Sequence, residues 1–289
     1  MEPVEIVRGD SPVILGLPHT GLFVPDLIFE NLNETGRALT DTDWKVDRLY
    51  ADLLPGATTV RATFHRYVID ANRDPSGVSL YPGQNTTALC PLTDFDNNPI
   101  YRRGSEPGER EIEARRIAYH APYHAAMAAE IERTRNRHGI AVLFDCHSIR
   151  SVVPFLFEGT LPDFNIGDND GTTCADGLTR IVADLCRRAR GYSTIVNGRF
   201  KGGWTTRHYG RPDDGVHAIQ MELAQKSHLK QETHPFELDA EKSKRLRTVL
   251  GEILKGIEEW ALHHSNGDRQ HHRSFPPVQG AGKDKETQQ

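Results

Sequence analysis

The sequence predicts an α/β fold, a mixed and mostly parallel sheet with helices on both faces. Three observations predict it. Short apolar runs of strand length alternate with longer segments of helical spacing. The clearest runs, 12–17 and 140–144, are apolar throughout, as strands covered on both faces are. Each is followed closely by a histidine, His19 and His147, and ligands of open α/β sheets bind beyond the carboxyl ends of the strands.

The elements follow in order. Residues 12–17 form a strand that leads into Pro18-His19. Residues 42–54 carry Val46, Leu49, Tyr50, Leu53 and Leu54 at helical spacing. Residues 60–70 read as a strand closing on Asn72-Arg73. Residues 74–108, rich in Pro, Gly, Asn and Asp, read as a long excursion of the kind that is functional or mobile. Residues 109–138 are helical, with Pro122 expected to break or kink them. Tyr123, Met127 and Ile131 form a stripe after that point, and Gly139 ends it. Residues 140–145 form a strand that delivers Asp145-Cys146-His147-Ser148. Residues 152–157 and 192–197 read as further strands, and 174–190 as a helix. Residues 216–223 alternate, with Ala218, Gln220 and Glu222 on one face and Ile219, Met221 and Leu223 on the other. Residues 239–263 place Leu246, Leu250, Ile253, Ile257 and Trp260 along one helix face. One α/β domain over 1–264 follows, with 265–289 a disordered tail poor in large apolar residues.

Composition narrows the partners. Hydrophobic residues make up 37% of the 289, and the mean hydropathy of -0.56 is that of a soluble chain. No run approaches the roughly 20 apolar residues that span a bilayer, and the N-terminus lacks the basic-then-apolar pattern of a signal peptide. A net charge of -5 argues against nucleic-acid or anionic-membrane partners. The four cysteines show no CxxC pairing and read as free thiols of a reducing, cytoplasmic setting.

The chemistry-bearing residues point to a metal site. His19 and His147 share a strand-end context, and hydrolytic zinc sites use three protein ligands and leave one position for water. The third ligand is expected to be a histidine or a carboxylate. On a helix over 42–54, Asp43 and Asp47 share a face, and inward-facing carboxylates are costly unless paired or metal-bound. Asp47 is the expected ligand and Asp43 its alternative; a helix cap and an arginine pair would explain the same acids. Glu222, an acid late in a core-like strand, suits a general base beside a metal-bound water. Arg73 presents a rigid fork that matches a carboxylate, although a salt bridge to Asp70 or Asp74 explains it equally. Residues 197–210 combine glycines, aromatics and the cations Lys201 and Arg207, which can bind an anion. They lack the spacing of a nucleotide-phosphate loop. Cys146 faces away from His147 and reads as core.

Taken in order, Pro18-His19-Thr20-Gly21, Asp41-Thr42-Asp43-Trp44 with Asp47-Arg48-Leu49-Tyr50, Asp70-Ala71-Asn72-Arg73-Asp74, Asp145-Cys146-His147-Ser148 and Asn197-Gly198 with Lys201-Gly202-Gly203 resemble the N-formylglutamate amidohydrolase family. The likeness runs from about residue 10 to residue 262. A more distant similarity is to zinc carboxypeptidases and aspartoacylases, through His19, Asn72-Arg73, His147 and Glu222 in that order. Those relatives carry a His-x-x-Glu pair where this chain has Leu22, so the acidic ligand must come from Asp47 or Asp43. The resemblance implies a zinc-carboxypeptidase or phosphorylase/hydrolase-like fold. It also implies hydrolysis of N-formyl-L-glutamate to formate and L-glutamate, as in histidine degradation. In that reading His19, Asp47 and His147 hold Zn2+ or another divalent ion, and Glu222 is the catalyst. Asn72, Arg73 and Lys201 or Arg207 bind the small dicarboxylate amide, and Asp145 orients a ligand histidine. A hydrolase for another N-acyl amino acid or a peptide, and a non-catalytic metal or amino-acid binder, are the other readings.

Overall fold

A computed structural model describes residues 1–78, 83 and 85–271. Its seven-stranded sheet holds β1 (Val4–Val7), β2 (Val13–Leu17), β3 (Thr58–Ala62), β4 (Ala141–Ile149), β5 (Phe164–Gly167), β6 (Thr194–Val196) and β7 (Val216–Ala224), in the order β1-β3-β2-β4-β7-β5-β6. The central strands β3, β2, β4 and β7 run parallel. β1 is antiparallel to β3, and β5 is antiparallel to β7. The sheet is mixed and mostly parallel, as the sequence predicts.

Eight α-helices are described: α1 (Asp26–Asn31), α2 (Glu34–Arg37), α3 (Val46–Tyr50), α4 (Glu109–Arg115), α5 (Ala121–His138), α6 (Asp176–Arg188), α7 (Trp204–Tyr209) and α8 (Ala240–His271). Period-2 alternation on β4 and β7 separates two cores. Val142, Phe144, Cys146, Ile219 and Met221 pack with Leu49 of α3, Val182 of α6 and Leu250 and Ile257 of α8. On the opposite face, Ile14, Leu143 and Ala218 pack with Tyr123, Met127 and Ile131 of α5. Apolar groups on both faces explain why β2 and the first half of β4 read as unbroken apolar runs. The same alternation sends Asp145 and His147 of β4, and Gln220 and Glu222 of β7, to the α5 face.

Several local expectations change. β3 ends at Ala62, and Tyr67, Val68 and Ile69 are buried in turns rather than a strand. They are apolar because they pack under other chain segments, with Tyr67 against Ile100 and Tyr101. Residues 152–157 are not a strand: Leu156 N–H and Phe157 N–H both donate to the Val153 carbonyl, forming a turn, and Pro154 has no N–H for a ladder. The short strands β1 and β5 escape the periodicity argument. Pro122 does not break the helix. A π-turn over Arg116–His120 joins α4 to α5, so that Ala121 N–H reaches back to the Arg116 carbonyl, and the proline enters at the start of α5. α8 continues to His271, into the segment expected to be a tail. Residues 272–289, where the rest of that tail falls, lie outside the described residues. Among the described residues no helix is long and apolar enough to cross a membrane.

Candidate active site

Sheet register builds the site. β4 and β7 pair His147 with Glu222, and parallel register partners point to the same face. β2 lies on the other side of β4 and carries the chain on to His19. All three side chains are buried. Asp43 joins them from the turn before α3, where its N–H donates to the His19 carbonyl at 3.1 Å.

His19, Asp43 and His147 converge so that one ligand atom from each lies within 4.8 Å of the others. Asp43 Oδ2 lies 3.1 Å from His147 Nδ1 and 3.7 Å from His19 Nδ1. The opposite nitrogens face carboxylates: His19 Nε2 is 2.7 Å from Asp70 Oδ1, and His147 Nε2 is 3.1 Å from Asp145 Oδ2. Each carboxylate can hold a proton on its imidazole's Nε2, so that the Nδ1 atoms, which face Asp43, would be the ones offered to a metal ion. Asp145 therefore stands where the sequence predicts, beside a histidine, and accepts the Thr206 hydroxyl as well.

Two imidazoles and one carboxylate are the donor set of a hydrolytic zinc site with an open fourth position. His19 Nδ1 is buried and has no hydrogen-bond partner among the described residues, an expense that a metal ligand resolves. The residues present fit a divalent metal.

The electrostatics are those of a dense charge cluster. Burial raises the Asp43 carboxyl, but hydrogen bonding from His147 and the positive charge of both histidines outweigh it and hold it below the usual range. Burial opposes charge on His147, but Asp145 and Asp43 overcome it and hold its pKa well above the ordinary imidazole value. Burial pushes the Glu222 carboxyl up to about 8, with the His147 charge pulling the other way. Asp70 is also buried, yet Arg66 and Arg73 keep it well below the carboxylate range.

The cleft above this group has a volume of about 630 Å³, part of it open to solvent. Its lining contains His19, Asp43, His147 and Glu222, together with Arg66, Arg73 and Arg199. Asn72 lines it too, with Oδ1 accepting from Thr205 N–H at 2.8 Å and Nδ2 3.1 Å from His147 Nε2. Asn85, Thr86 and Thr87, from the long excursion, and Phe95 complete the wall.

The structure does not bring every expected residue here. Asp47 is half-buried on the wall of a separate cavity with Leu15, Leu17 and Arg61. The reason is local: Lys45 adopts a left-handed φ of 65°, and α3 starts only at Val46. Asp43 and Asp47 therefore do not share a helix face, and Asp43 is the acid brought to the histidines. Lys201 is half-buried and directs Nζ at Asp170 Oδ2, 2.9 Å away. Arg207 donates through Nε to the Gly202 carbonyl. Neither lines the cleft, whereas Arg199 of the same loop does. Arg73 lines it while donating to Thr87 and the Asn72 carbonyl.

Sequence reasoning missed Arg66, Arg199, Gln220 and the role of Asp70. Gln220 accepts from Gly203 N–H at 2.7 Å and donates to Glu222 Oε2 at 3.3 Å, so it fixes the glutamate. Its signal was present, since it shares the Glu222 face of β7. Arg66 donates to Asp70 Oδ2 at 2.5 Å and lies over the Phe95 ring at 4.7 Å. No spacing in the sequence distinguishes it from a surface arginine.

Comparison with known proteins points to one family. The family model described as N-formylglutamate amidohydrolase matches residues 11–229. An N-formylglutamate deformylase of Pseudomonas aeruginosa is 42% identical over 261 residues, covering 90% of this chain and 97% of that protein. One of Pseudomonas putida is 40% identical over 256 residues, covering 88% and 94%. The crystal structure of N-formylglutamate amidohydrolase from Ralstonia eutropha JMP134 superposes with a TM-score of 0.73 at 26% identity, over 94% of this chain and 100% of that one.

Proposed function

The chain belongs to the N-formylglutamate amidohydrolase family, and from that premise we propose that it hydrolyses N-formyl-L-glutamate to formate and L-glutamate with the help of a divalent metal, Zn2+ first among the choices. The observation that carries this reading is the meeting of His19, Asp43 and His147 in the cleft that also presents Glu222 and three arginines.

His19, Asp43 and His147 would hold the ion, the histidines through Nδ1. When bound, such an ion lowers the pKa of a coordinated water to about 7 and polarises a carbonyl. Asp70 and Asp145 keep the two imidazoles in the tautomer and orientation this requires. Glu222 takes the proton of the attacking water as the oxygen–carbon bond forms. It returns that proton to the leaving nitrogen as the carbon–nitrogen bond breaks. Burial raises the proton affinity of the Glu222 carboxyl, which suits a group that takes a proton and returns it.

The substrate carries two carboxylates, and the cleft supplies cations for them. Arg73 takes one, with Asn72 beside it, and Arg199 takes the role expected of Lys201 or Arg207. Arg66 is the most buried of the three, fixed by Asp70 and Phe95. It faces the formyl oxygen, where negative charge develops and a preorganised cation acts most strongly.

Formate release from N-formyl-L-glutamate by the purified protein tests the reading. Activity that a chelator abolishes and Zn2+ restores is expected. Turnover indifferent to chelation removes the metal, and turnover of some other N-acyl amino acid in preference reassigns the substrate.

A further inference from the structure

The segment Ala71-Asn72-Arg73 belongs to no helix or strand, yet two of its residues bind substrate in the reading above. It is held from α5 and the preceding π-turn by two buried histidines. His124 Nε2 donates to the Ala71 carbonyl at 2.7 Å, and His120 Nε2 donates to the Arg73 carbonyl at 3.0 Å. The carbonyls on either side of Asn72 are therefore both anchored. Burial lowers the His124 pKa to about 3, so its ring is neutral. With the proton on Nε2, its Nδ1 and the His124 carbonyl share the Tyr209 hydroxyl proton, at 3.0 and 3.1 Å.

Tyr209 belongs to α7, whose first residue, Trp204, packs edge-on against His124 at 4.5 Å between ring centroids. The same α7 start supplies the Thr205 N–H to Asn72. Asn72 is thus gripped through its flanking carbonyls from one side and through its amide from the other.

The π-turn accounts for the placement of the histidines. A proline ring clashes with the carbonyl four residues back in a regular helix. Before Pro122 the helix widens instead, and the turn ends on His120. Such one-turn bulges gather at functional sites.

We propose that His120 and His124 are positioning residues for substrate binding: through the Arg73 and Ala71 carbonyls they fix Asn72 and Arg73 in the cleft, in a helical register set by the π-turn ahead of Pro122. The proposal rests on the deformylase reading.

His120→Gln and His120→Asn separate this role from a merely structural one. The two amides are alike in polarity, but only glutamine reaches the position of Nε2. His120→Asn is expected to raise KM for N-formyl-L-glutamate about tenfold, the usual weight of one buried hydrogen bond. kcat and metal content should change little, and His120→Gln should recover most of the loss. In an Arg73→Ala background the effect of His120→Asn on KM should largely vanish, because both act through one segment. Equal KM values in the two variants, or strict additivity with Arg73→Ala, overturn the proposal. A wild-type protein that fails to turn over N-formyl-L-glutamate refutes the activity instead. Amide hydrogen exchange at residues 71–73 then decides: faster exchange in His120→Asn than in His120→Gln supports the positioning role, and equal exchange overturns it.

Discussion

Asp43 and Asp47 are the same residue type four positions apart, and the backbone at Lys45 separates them. A lysine at φ 65° ends any helical continuity between the two acids. Asp43 is left in a turn pinned to the His19 carbonyl, and Asp47 on a different wall of the molecule. A left-handed conformation is uncommon outside glycine, and lysine advertises nothing of the kind, so the choice between the acids was illegible. His19, His147 and Glu222 were legible because strand ends and period-2 alternation place side chains without further information. The two acids should differ in what they contribute to metal affinity. Losing an outer partner of a ligand already costs roughly 10–100-fold, so Asp43→Asn should weaken Zn2+ binding by roughly 100-fold or more by the same scale. Asp47→Asn should leave it within about twofold, as surface changes do. Equilibrium dialysis against a zinc buffer reads both, and equal losses would remove Asp43 from the metal site.

At the scale of elements, the loop before α7 joins the two halves of the cleft. Gly203 donates to Gln220, which holds Glu222, and its Cα abuts the Asn72 amide. A Cβ at Gly203 would fall 2.3 Å from Asn72 Nδ2 and 2.5 Å from Oδ1. Its φ of -78° suits any residue, so the need for glycine here is one of space alone. Gly203→Ala should displace the Asn72 amide and break its bond from Thr205, lowering kcat/KM by roughly tenfold or more for one lost buried hydrogen bond. Overpacking should cost about 1–3 kcal/mol of stability, seen in a denaturant titration. Unchanged kcat/KM would show that Asn72 tolerates the shift and that its exact place matters little. The central strands and the long helices α5, α6 and α8 were readable from period and length. α7, with six residues, offers too short a pattern. Tertiary contacts decide its path, as they decide the buried turns at 65–70.

At the scale of the whole molecule, the cleft is assembled from segments far apart in the chain. Arg66 and Arg73 arrive after β3, Asn85–Thr87 from the long excursion, and Arg199 after β6. The carboxyl edge of the sheet brings His19 and His147 together with Asp43, and these segments wall the group with positive charge. Such a cleft should discriminate by charge more than by shape. A hydrogen bond to a charged group is worth about 1.5–3 kcal/mol, so replacing the side-chain carboxylate by an amide, as in N-formyl-L-glutamine, should lower kcat/KM by roughly 10- to 150-fold. The penalty should act mainly through KM, because the lost contact lies away from the reacting carbon. If Arg199 meets that carboxylate, Arg199→Ala should bring N-formyl-L-glutamate down to the level of N-formyl-L-glutamine and leave the latter nearly unchanged. Arg73→Ala, acting on the other carboxylate, should weaken both substrates alike and preserve their ratio. If instead the ratio collapses in Arg73→Ala and survives in Arg199→Ala, the two arginines exchange roles. A ratio near one in the wild-type protein would mean that the positive wall holds the loops together rather than selecting a dicarboxylate.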